Sequence, residues 1–253
     1  MSRKLAFVTG ATAGIGAATA RAFARAGYDL VLTGRRDDRL VEMEDELRKL
    51  GGDVAGIPFD VRDPQALKLA ELSHPHLFER VDVLVNNAGL ARGTEPLHEG
   101  DPDEWDEVID TNVKALLRVT RSILPHMVRR NTGHVVNLGS VAGRWVYPGG
   151  AVYCASKFAV RAISEGIRYD VLGTNVRCTN IEPGMVETEF SEVRFRGDTE
   201  RAKKVYQGFQ PLSADDIAET ILWCVQRPAH VAVQELVIYP TAQAGVTHLK
   251  RNP

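Results

Sequence analysis

Short, unbroken runs of apolar residues recur along the chain, and segments with the periodicity of an amphipathic helix separate them. The runs alternate little between apolar and polar positions, which is typical of strands buried on both faces of a parallel sheet. Strands are predicted at residues 5–9, 29–33, 54–59, 81–86, 134–138, 175–181 and 235–239. Helices are predicted at residues 15–26, 38–50, 64–72, 103–129, 152–172 and 214–226.

The alternation of strands and helices predicts an α/β fold. It favours a Rossmann-like, doubly wound parallel sheet of about seven strands with helices on both faces. Because no linker, repeat or low-complexity tract divides the sequence, a single domain over residues 1–253 is predicted. Ligands of such sheets bind beyond the carboxyl ends of the strands. Functional residues are therefore expected directly after the strands.

Composition excludes several classes of function. Hydrophobic residues make up 44% of the 253 residues and charged residues 25%, which excludes a disordered or fibrous chain. A formal net charge of -2 supplies no positive field for nucleic acid or an anionic membrane. No apolar run reaches the length of a membrane span, and the N-terminus lacks the apolar segment of a secretory signal.

The cysteines and histidines indicate a compartment and argue against a metal site. Three cysteines at wide spacing, with no C-x-x-C pair, are typical of free thiols in a reducing compartment. The seven histidines form no H-E-x-x-H motif. We therefore expect a cytoplasmic protein that acts on a small molecule and uses no metal, nucleic acid or membrane.

One long irregular stretch, residues 184–208, interrupts the regular pattern. Its length is more typical of a substrate lid than of a plain connection. The alternative is a surface excursion with a short helix.

A glycine-rich turn follows the first predicted strand and opens a helix. It reads Thr9-Gly10-Ala11-Thr12-Ala13-Gly14-Ile15-Gly16. Glycines let the backbone turn sharply and approach a pyrophosphate, which then lies against the free N–H groups at the helix N-terminus. A tight turn without a ligand is the alternative, but the strand–turn–helix context favours a dinucleotide site at Gly10, Thr12, Gly14, Ile15 and Gly16.

The end of the second strand indicates which dinucleotide binds. An acidic residue there would read a ribose 2′-hydroxyl, whereas this chain has Gly34-Arg35-Arg36. Arg35 and Arg36 therefore favour NADP over NAD, since one charge-assisted hydrogen bond contributes about 1.5–3 kcal/mol. Asp37 and Asp38 come next, and they either pair with the arginines or occupy the first turn of the following helix.

Two further strand ends carry residues placed to meet the cofactor. Asp60 and Val61 end the third strand, where the adenine is expected, and Asn87, Ala88 and Gly89 end the fourth beside the phosphate loop. Either segment taken alone is also compatible with a plain turn.

A phenol and an ammonium lie one helical turn apart at Tyr153 and Lys157. Making a phenolate available at neutral pH costs about 4 kcal/mol, and a cation about 4 Å away at an effective dielectric near 20 contributes about as much. We therefore expect Lys157 to lower the pKa of Tyr153 enough for general acid/base chemistry. Ser140 follows the fifth strand, and a glycine-rich loop can return it to Tyr153, where it would hydrogen-bond the substrate oxygen.

Asn112 lies inside a predicted helix, although asparagine is a poor helix former. If the polar side chain of Asn112 lies on the side of the helix that faces the sheet, it indicates a functional role. The alternative is a solvent-facing Asn112 with no role.

Together these motifs resemble the short-chain dehydrogenase/reductase family. T-G-x-x-x-G-x-G, N-N-A-G, the helical asparagine, the serine and Y-x-x-x-K occur in the family's order and spacing over nearly the whole chain. The resemblance implies a catalytic tetrad of Asn112, Ser140, Tyr153 and Lys157, with Lys157 also binding the nicotinamide ribose and Asn112 holding a water. It further implies nicotinamide contacts from Pro183, Gly184, Val186 and Thr188, and a homotetramer.

The segments Asn86–Ala91, Ile181–Gly184 and Glu189–Asp198 are similar to the NADP-dependent dehydrogenases of 3-hydroxy acids such as serine and L-allo-threonine. A carboxylate-bearing substrate needs a cation near Tyr153. Arg194 is the leading candidate, and Arg144 beside Ser140 competes with it. Two other functions remain open: a carbonyl reductase for apolar ketones, and a cofactor-sensing protein without turnover.

Overall fold

A computed structural model of the chain describes residues 3–252. Seven strands form one parallel sheet: β1 (Leu5–Thr9), β2 (Asp29–Gly34), β3 (Val54–Pro58), β4 (Val83–Asn86), β5 (Gly133–Leu138), β6 (Val176–Pro183) and β7 (Glu235–Ile238). The strand order is β3-β2-β1-β4-β5-β6-β7. The order reverses between β1 and β4, so a cleft is expected beyond the carboxyl ends of these two strands. The predicted doubly wound parallel sheet is confirmed.

Helices cover both faces of the sheet. They are α1 (Gly14–Arg25), α2 (Asp37–Arg48), α3 (Pro64–Ser73), α4 (Pro75–Arg80), α5 (Pro102–Ile109), α6 (Leu116–Arg129), α7 (Ala151–Asp170), α8 (Phe190–Arg194), α9 (Thr199–Val205) and α10 (Ala214–Val225). Two apolar cores result, one on each face: Val8 and Leu32 lie in the first, and Phe7 and Val31 in the second. Because successive strand side chains point to opposite faces, an unbroken apolar run supplies both cores.

Two helical segments differ from the predictions. Helix α4 was not predicted, although proline at the first position of a helix is favourable because its missing N–H has no intrahelical partner there. The predicted helix at 103–129 contains a π-helical segment, Asp110–Ala115, between α5 and α6. Such widened turns occur frequently at functional sites, and this one carries Asn112.

Residues 184–208, predicted as a lid or as an excursion with a short helix, contain α8 and α9. Two hydrogen bonds to backbone carbonyls fix α8 to the loop after β4: Gly93 N donates to the Arg194 carbonyl at 3.0 Å, and the side chain of Arg92 donates from Nη1 to the Val193 carbonyl at 2.6 Å. Among residues 3–252, no helix combines the length and apolar character needed to cross a membrane.

Candidate active site

A cleft of about 630 Å³ lies beyond the carboxyl ends of the strands. This volume is in the range of sites for small molecules and cofactors. The sequence-predicted site residues that line the cleft are Gly10, Thr12, Gly14, Ile15, Arg35, Arg36, Asp60, Val61, Asn87, Ala88, Gly89, Ser140, Tyr153, Lys157, Pro183, Gly184, Val186, Thr188 and Arg194. Gly16, Asn112 and Arg144 are the predicted residues that do not line it.

The glycine loop has a backbone that only glycine adopts readily. Gly10 and Gly14 have φ values of +65° and +50°, in the left-handed region. A Cβ on Gly16 would lie 2.2 Å from the Gly10 carbonyl oxygen, so Gly16 permits the close packing of α1 against the loop. The result is a helix N-terminus whose free N–H groups face the cleft, which suits a pyrophosphate.

Arg35 and Arg36, which follow β2, line one end of the cleft. Arg35 is exposed, whereas Arg36 donates from Nε and Nη2 to the Thr12 hydroxyl at 3.2 and 3.0 Å. Asp37 and Asp38 occupy the first turn of α2, and no ion pair joins them to the arginines within the described part of the chain. Of the two interpretations left open by the sequence, the one that places these aspartates in the first turn of the helix is therefore correct.

A third arginine, Arg39, joins this end and was not predicted from the sequence. Its Nη1 donates to Glu189 Oε1 at 2.7 Å, and Arg36 Nη1 donates to Glu189 Oε2 at 2.9 Å. Arg39 lies in the first turn of α2, three residues after Arg36, and this short spacing is the signal that could have revealed it. Burial raises the pKa of Glu189, but its hydrogen bonds to Arg39 and Arg36 outweigh burial and hold the pKa below its ordinary value.

Asp60 is held in the cleft wall by Arg62. The Arg62 guanidinium donates to both Asp60 oxygens, at 2.7 to 3.1 Å. Burial raises the pKa of Asp60, but the bonds from Arg62 prevail and lower it overall. A negative charge is therefore fixed where the adenine is expected.

Ser140, Tyr153 and Lys157 meet at the other end of the cleft, as the loop between them predicted. The Ser140 hydroxyl lies beside Tyr153, where it acts to lower the pKa of the phenol, and it accepts from Ala142 N at 3.1 Å. Lys157 Nζ donates to the Leu138 carbonyl at 2.7 Å and lies 5.8 Å from the centre of the Tyr153 ring.

The expected lowering of the Tyr153 pKa does not agree with the structure. Burial raises the pKa of Tyr153 to about 12, and the Arg194 guanidinium and the Ser140 hydroxyl offset only part of the increase. Burial also lowers the pKa of Lys157 to about 8. Removal from water disfavours the charged form of each group, and sequence spacing does not reveal that cost. Tyr153 therefore carries its proton at neutral pH.

Asn112 is a buried connector, with 2% of its surface exposed. Its Oδ1 accepts from Leu90 N at 2.9 Å, and its Nδ2 donates to the Leu90 carbonyl at 2.8 Å and to Ser156 Oγ at 3.0 Å. The alternative of a solvent-facing Asn112 is therefore wrong. Its side chain joins the loop after β4 to α7, the helix of Tyr153 and Lys157.

Arg194 is the last residue of α8 and packs on the ring of Tyr153, the candidate proton carrier. Its guanidinium carbon lies 5.0 Å from the centre of the Tyr153 ring and 5.3 Å from that of Phe190. Nη2 donates to the Tyr147 hydroxyl at 2.8 Å, whereas the buried Nε has no hydrogen-bond partner. No carboxylate pairs with Arg194 within residues 3–252. Tyr147, which orients this cation, was not predicted because nothing in its sequence context marks it.

Arg144 lies away from the cleft, contrary to its prediction as a substrate residue. Its guanidinium pairs with the fully buried Glu182 and with Glu235. A buried carboxylate without a cation is strongly destabilising, so these glutamates account for the position of Arg144.

Comparisons with known proteins agree with this geometry. A family model for short chain dehydrogenases matches residues 4–198, and the chain belongs to this family. A protein of Escherichia coli (strain K12) named NADP-dependent 3-hydroxy acid dehydrogenase YdfG is 46% identical over 241 residues, which cover 95% of this chain and 96% of that protein. The resemblance inferred from the motifs is thereby confirmed.

Two further relatives bear on cofactor and substrate. The closed form of a serine dehydrogenase complexed with NADP+ superimposes with a TM-score of 0.91 at 45% identity, covering 98% of this chain and 100% of that chain. A protein of Chromohalobacter salexigens named sulfoacetaldehyde reductase 2 is 46% identical over 241 residues, 95% of each chain. The serine dehydrogenase is complexed with NADP+ and the E. coli relative is named as NADP-dependent, which agrees with the cofactor predicted from Arg35 and Arg36.

Proposed function

We propose that this protein is an NADP-dependent oxidoreductase that transfers a hydride between the nicotinamide and the 3-hydroxyl carbon of a short 3-hydroxy acid. Serine, L-allo-threonine and 3-hydroxypropionate-like acids are the proposed alcohols, and the matching semialdehydes or keto acids are the oxidised partners. Relatives named 3-hydroxy acid dehydrogenase and serine dehydrogenase support this substrate class. The observation that carries it is the Arg194 guanidinium, which packs on Tyr153, pairs with no carboxylate within residues 3–252 and leaves its buried Nε without a hydrogen-bond partner.

A buried guanidinium nitrogen without a partner costs free energy, so the site favours an anion that supplies one. A carboxylate matches the two-pronged geometry of arginine and forms charge-assisted bonds with it. In a 3-hydroxy acid, one carbon separates the carboxylate carbon from the carbon that carries the hydroxyl. That short span suits a proton carrier and a cation whose ring centre and guanidinium carbon lie 5.0 Å apart.

The residues around the cleft fit NADP. The glycine loop offers a helix N-terminus to the pyrophosphate, and Arg35, Arg36 and Thr12 offer cationic and hydroxyl groups to a 2′-phosphate. Asp60 and Val61 line the adenine side, and the Pro183–Thr188 segment lines the opposite end. When bound, the nicotinamide accepts the hydride in alcohol oxidation and supplies it in carbonyl reduction.

Tyr153 is the proposed proton carrier. In carbonyl reduction its hydroxyl donates a proton to the substrate oxygen, and the protonated state favoured by burial is ready for this step. In alcohol oxidation the phenolate accepts the hydroxyl proton, and the cations of Lys157 and Arg194 stabilise the phenolate before the transfer. Ser140, which lies beside Tyr153 in the cleft, orients the substrate oxygen.

A substrate and cofactor panel tests the proposal. The purified protein is assayed with L-serine, L-allo-threonine, 3-hydroxypropionate, sulfoacetaldehyde and a neutral ketone, each in the direction it allows, with both cofactors. We expect the anionic substrates to exceed the neutral ketone in kcat/KM, and NADP to exceed NAD by at least about tenfold, since charge-assisted bonds read the 2′-phosphate. Preference for the neutral ketone would instead support a general carbonyl reductase. Binding of NADPH without turnover of any substrate would support a cofactor-sensing protein.

A further inference from the structure

The carboxylate of Glu189 is clamped between two arginines of the nucleotide end of the cleft. Each of its oxygens accepts from a different guanidinium, Oε2 from Arg36 at 2.9 Å and Oε1 from Arg39 at 2.7 Å. Glu189 comes from the 184–208 segment, 150 positions along the chain from Arg39. The side chains of Arg36, Arg39 and Glu189 are 40%, 40% and 41% exposed, so the cluster is open to a ligand.

Arg36 lines the cleft where a 2′-phosphate is read, and Arg39 lies beside it on the same carboxylate. Arg36 directly precedes α2 after the end of β2, and its other nitrogens bond the Thr12 hydroxyl in the glycine loop. Arginine binds carboxylates and phosphates through the same fork of donors. An acidic side chain on these donors therefore occupies the position of an anionic ligand.

We infer that Glu189 and the 2′-phosphate of the cofactor compete for the guanidiniums of Arg36 and Arg39, so that Glu189 sets the affinity for NADP(H) and Arg39 is a further phosphate-binding residue. This inference rests on the proposed function for its cofactor. A phosphate carries more charge and one more free oxygen than a carboxylate, so it displaces Glu189 from the arginines. The carboxylate left beside it repels the phosphate and weakens binding.

Glu189→Gln tests the competition, because it removes the charge and keeps the shape. Glu187→Gln is the matched control: Glu187 lies in the same segment, is exposed, and forms no ion pair within residues 3–252. Dissociation constants for NADPH and NADH are measured by titrating nicotinamide fluorescence without substrate. We expect Glu189→Gln to tighten NADPH binding by about two- to thirtyfold and to change NADH binding by less than about twofold. The control should change neither constant.

Arg39→Gln tests whether Arg39 binds the 2′-phosphate. It should weaken NADPH binding by about two- to thirtyfold and leave NADH binding unchanged, because only the 2′-phosphate reaches this cation. Unchanged or weaker NADPH binding in Glu189→Gln would overturn the competition, since Glu189 would then position the arginines or be irrelevant to them. If the unmodified protein bound NADPH no more tightly than NADH, the NADP assignment itself would fail, and the inference with it.

Discussion

Replacing Tyr153 with phenylalanine is expected to lower kcat by about 10²- to 10⁴-fold, the usual contribution of a positioned acid or base. The substitution deletes one hydroxyl and keeps the ring, whose centre lies 5.6 Å from that of Phe190 and 5.0 Å from the Arg194 guanidinium carbon. NADPH affinity should therefore change little. The measurement is kcat for L-serine oxidation, followed by NADPH absorbance, together with a fluorescence titration of NADPH.

Tyr169→Phe is the matched control for this experiment. It makes the same chemical change on α7, at a residue that is 70% exposed. Its kcat should equal that of the unmodified protein. Turnover by Tyr153→Phe within about twofold of the unmodified protein would show that another group moves the proton.

Removing the Arg194 guanidinium is expected to abolish the preference for acids. Two charge-assisted bonds to a carboxylate contribute about 3–6 kcal/mol, so Arg194→Ala should lower kcat/KM for L-serine by about 10²- to 10⁴-fold. A neutral alcohol makes no such bonds and should lose less than about tenfold. The ratio of the two kcat/KM values separates loss of recognition from general damage to the cleft.

Arg196→Ala provides the control for charge and position. Arg196 lies two residues beyond Arg194, and its guanidinium pairs with Glu104 and Glu95 instead of packing on Tyr153. Its kcat/KM for L-serine should stay close to that of the unmodified protein. An unchanged kcat/KM in Arg194→Ala would reject Arg194 as the carboxylate-binding residue.

The elements that sequence predicts well are those fixed by local patterns. Unbroken apolar runs identify β1 and β2 because both faces of a parallel sheet are buried, and the glycine loop follows from backbone conformations that Gly10 and Gly14 must adopt. The meeting of Ser140 and Tyr153 was also predictable, since one glycine-rich loop joins them. Each of these inferences needs only neighbouring residues.

The features that sequence could not reveal depend on distant partners or on burial. Glu189 reaches the arginines after β2 from another part of the chain, and no local pattern marks that contact. Arg144 was expected at the substrate because it follows Ser140, yet the buried Glu182 holds it elsewhere. The pKa of Tyr153 was misjudged because the cost of burial depends on the finished packing.

The candidate active site contains groups that lower the free energy of unfolding of the chain. A buried lysine with a lowered pKa and a buried guanidinium nitrogen without a hydrogen-bond partner both reduce the stability of the folded chain at neutral pH. Such groups cluster at functional sites, and here Lys157 Nζ and the Arg194 guanidinium carbon lie 5.8 and 5.0 Å from the centre of the Tyr153 ring.

The central claim, that Tyr153 exchanges the proton with substrate, is tested most directly by the pH dependence of kcat/KM in the two directions. Because the pKa of Tyr153 is raised to about 12, the phenolate that oxidation requires becomes more abundant as pH rises, whereas the phenol that reduction requires stays abundant. Between about pH 6 and the Lys157 pKa of about 8, oxidation should accelerate by up to about tenfold per pH unit, and reduction should not accelerate. Equal pH dependence in both directions, or oxidation that does not change with pH, would contradict the account.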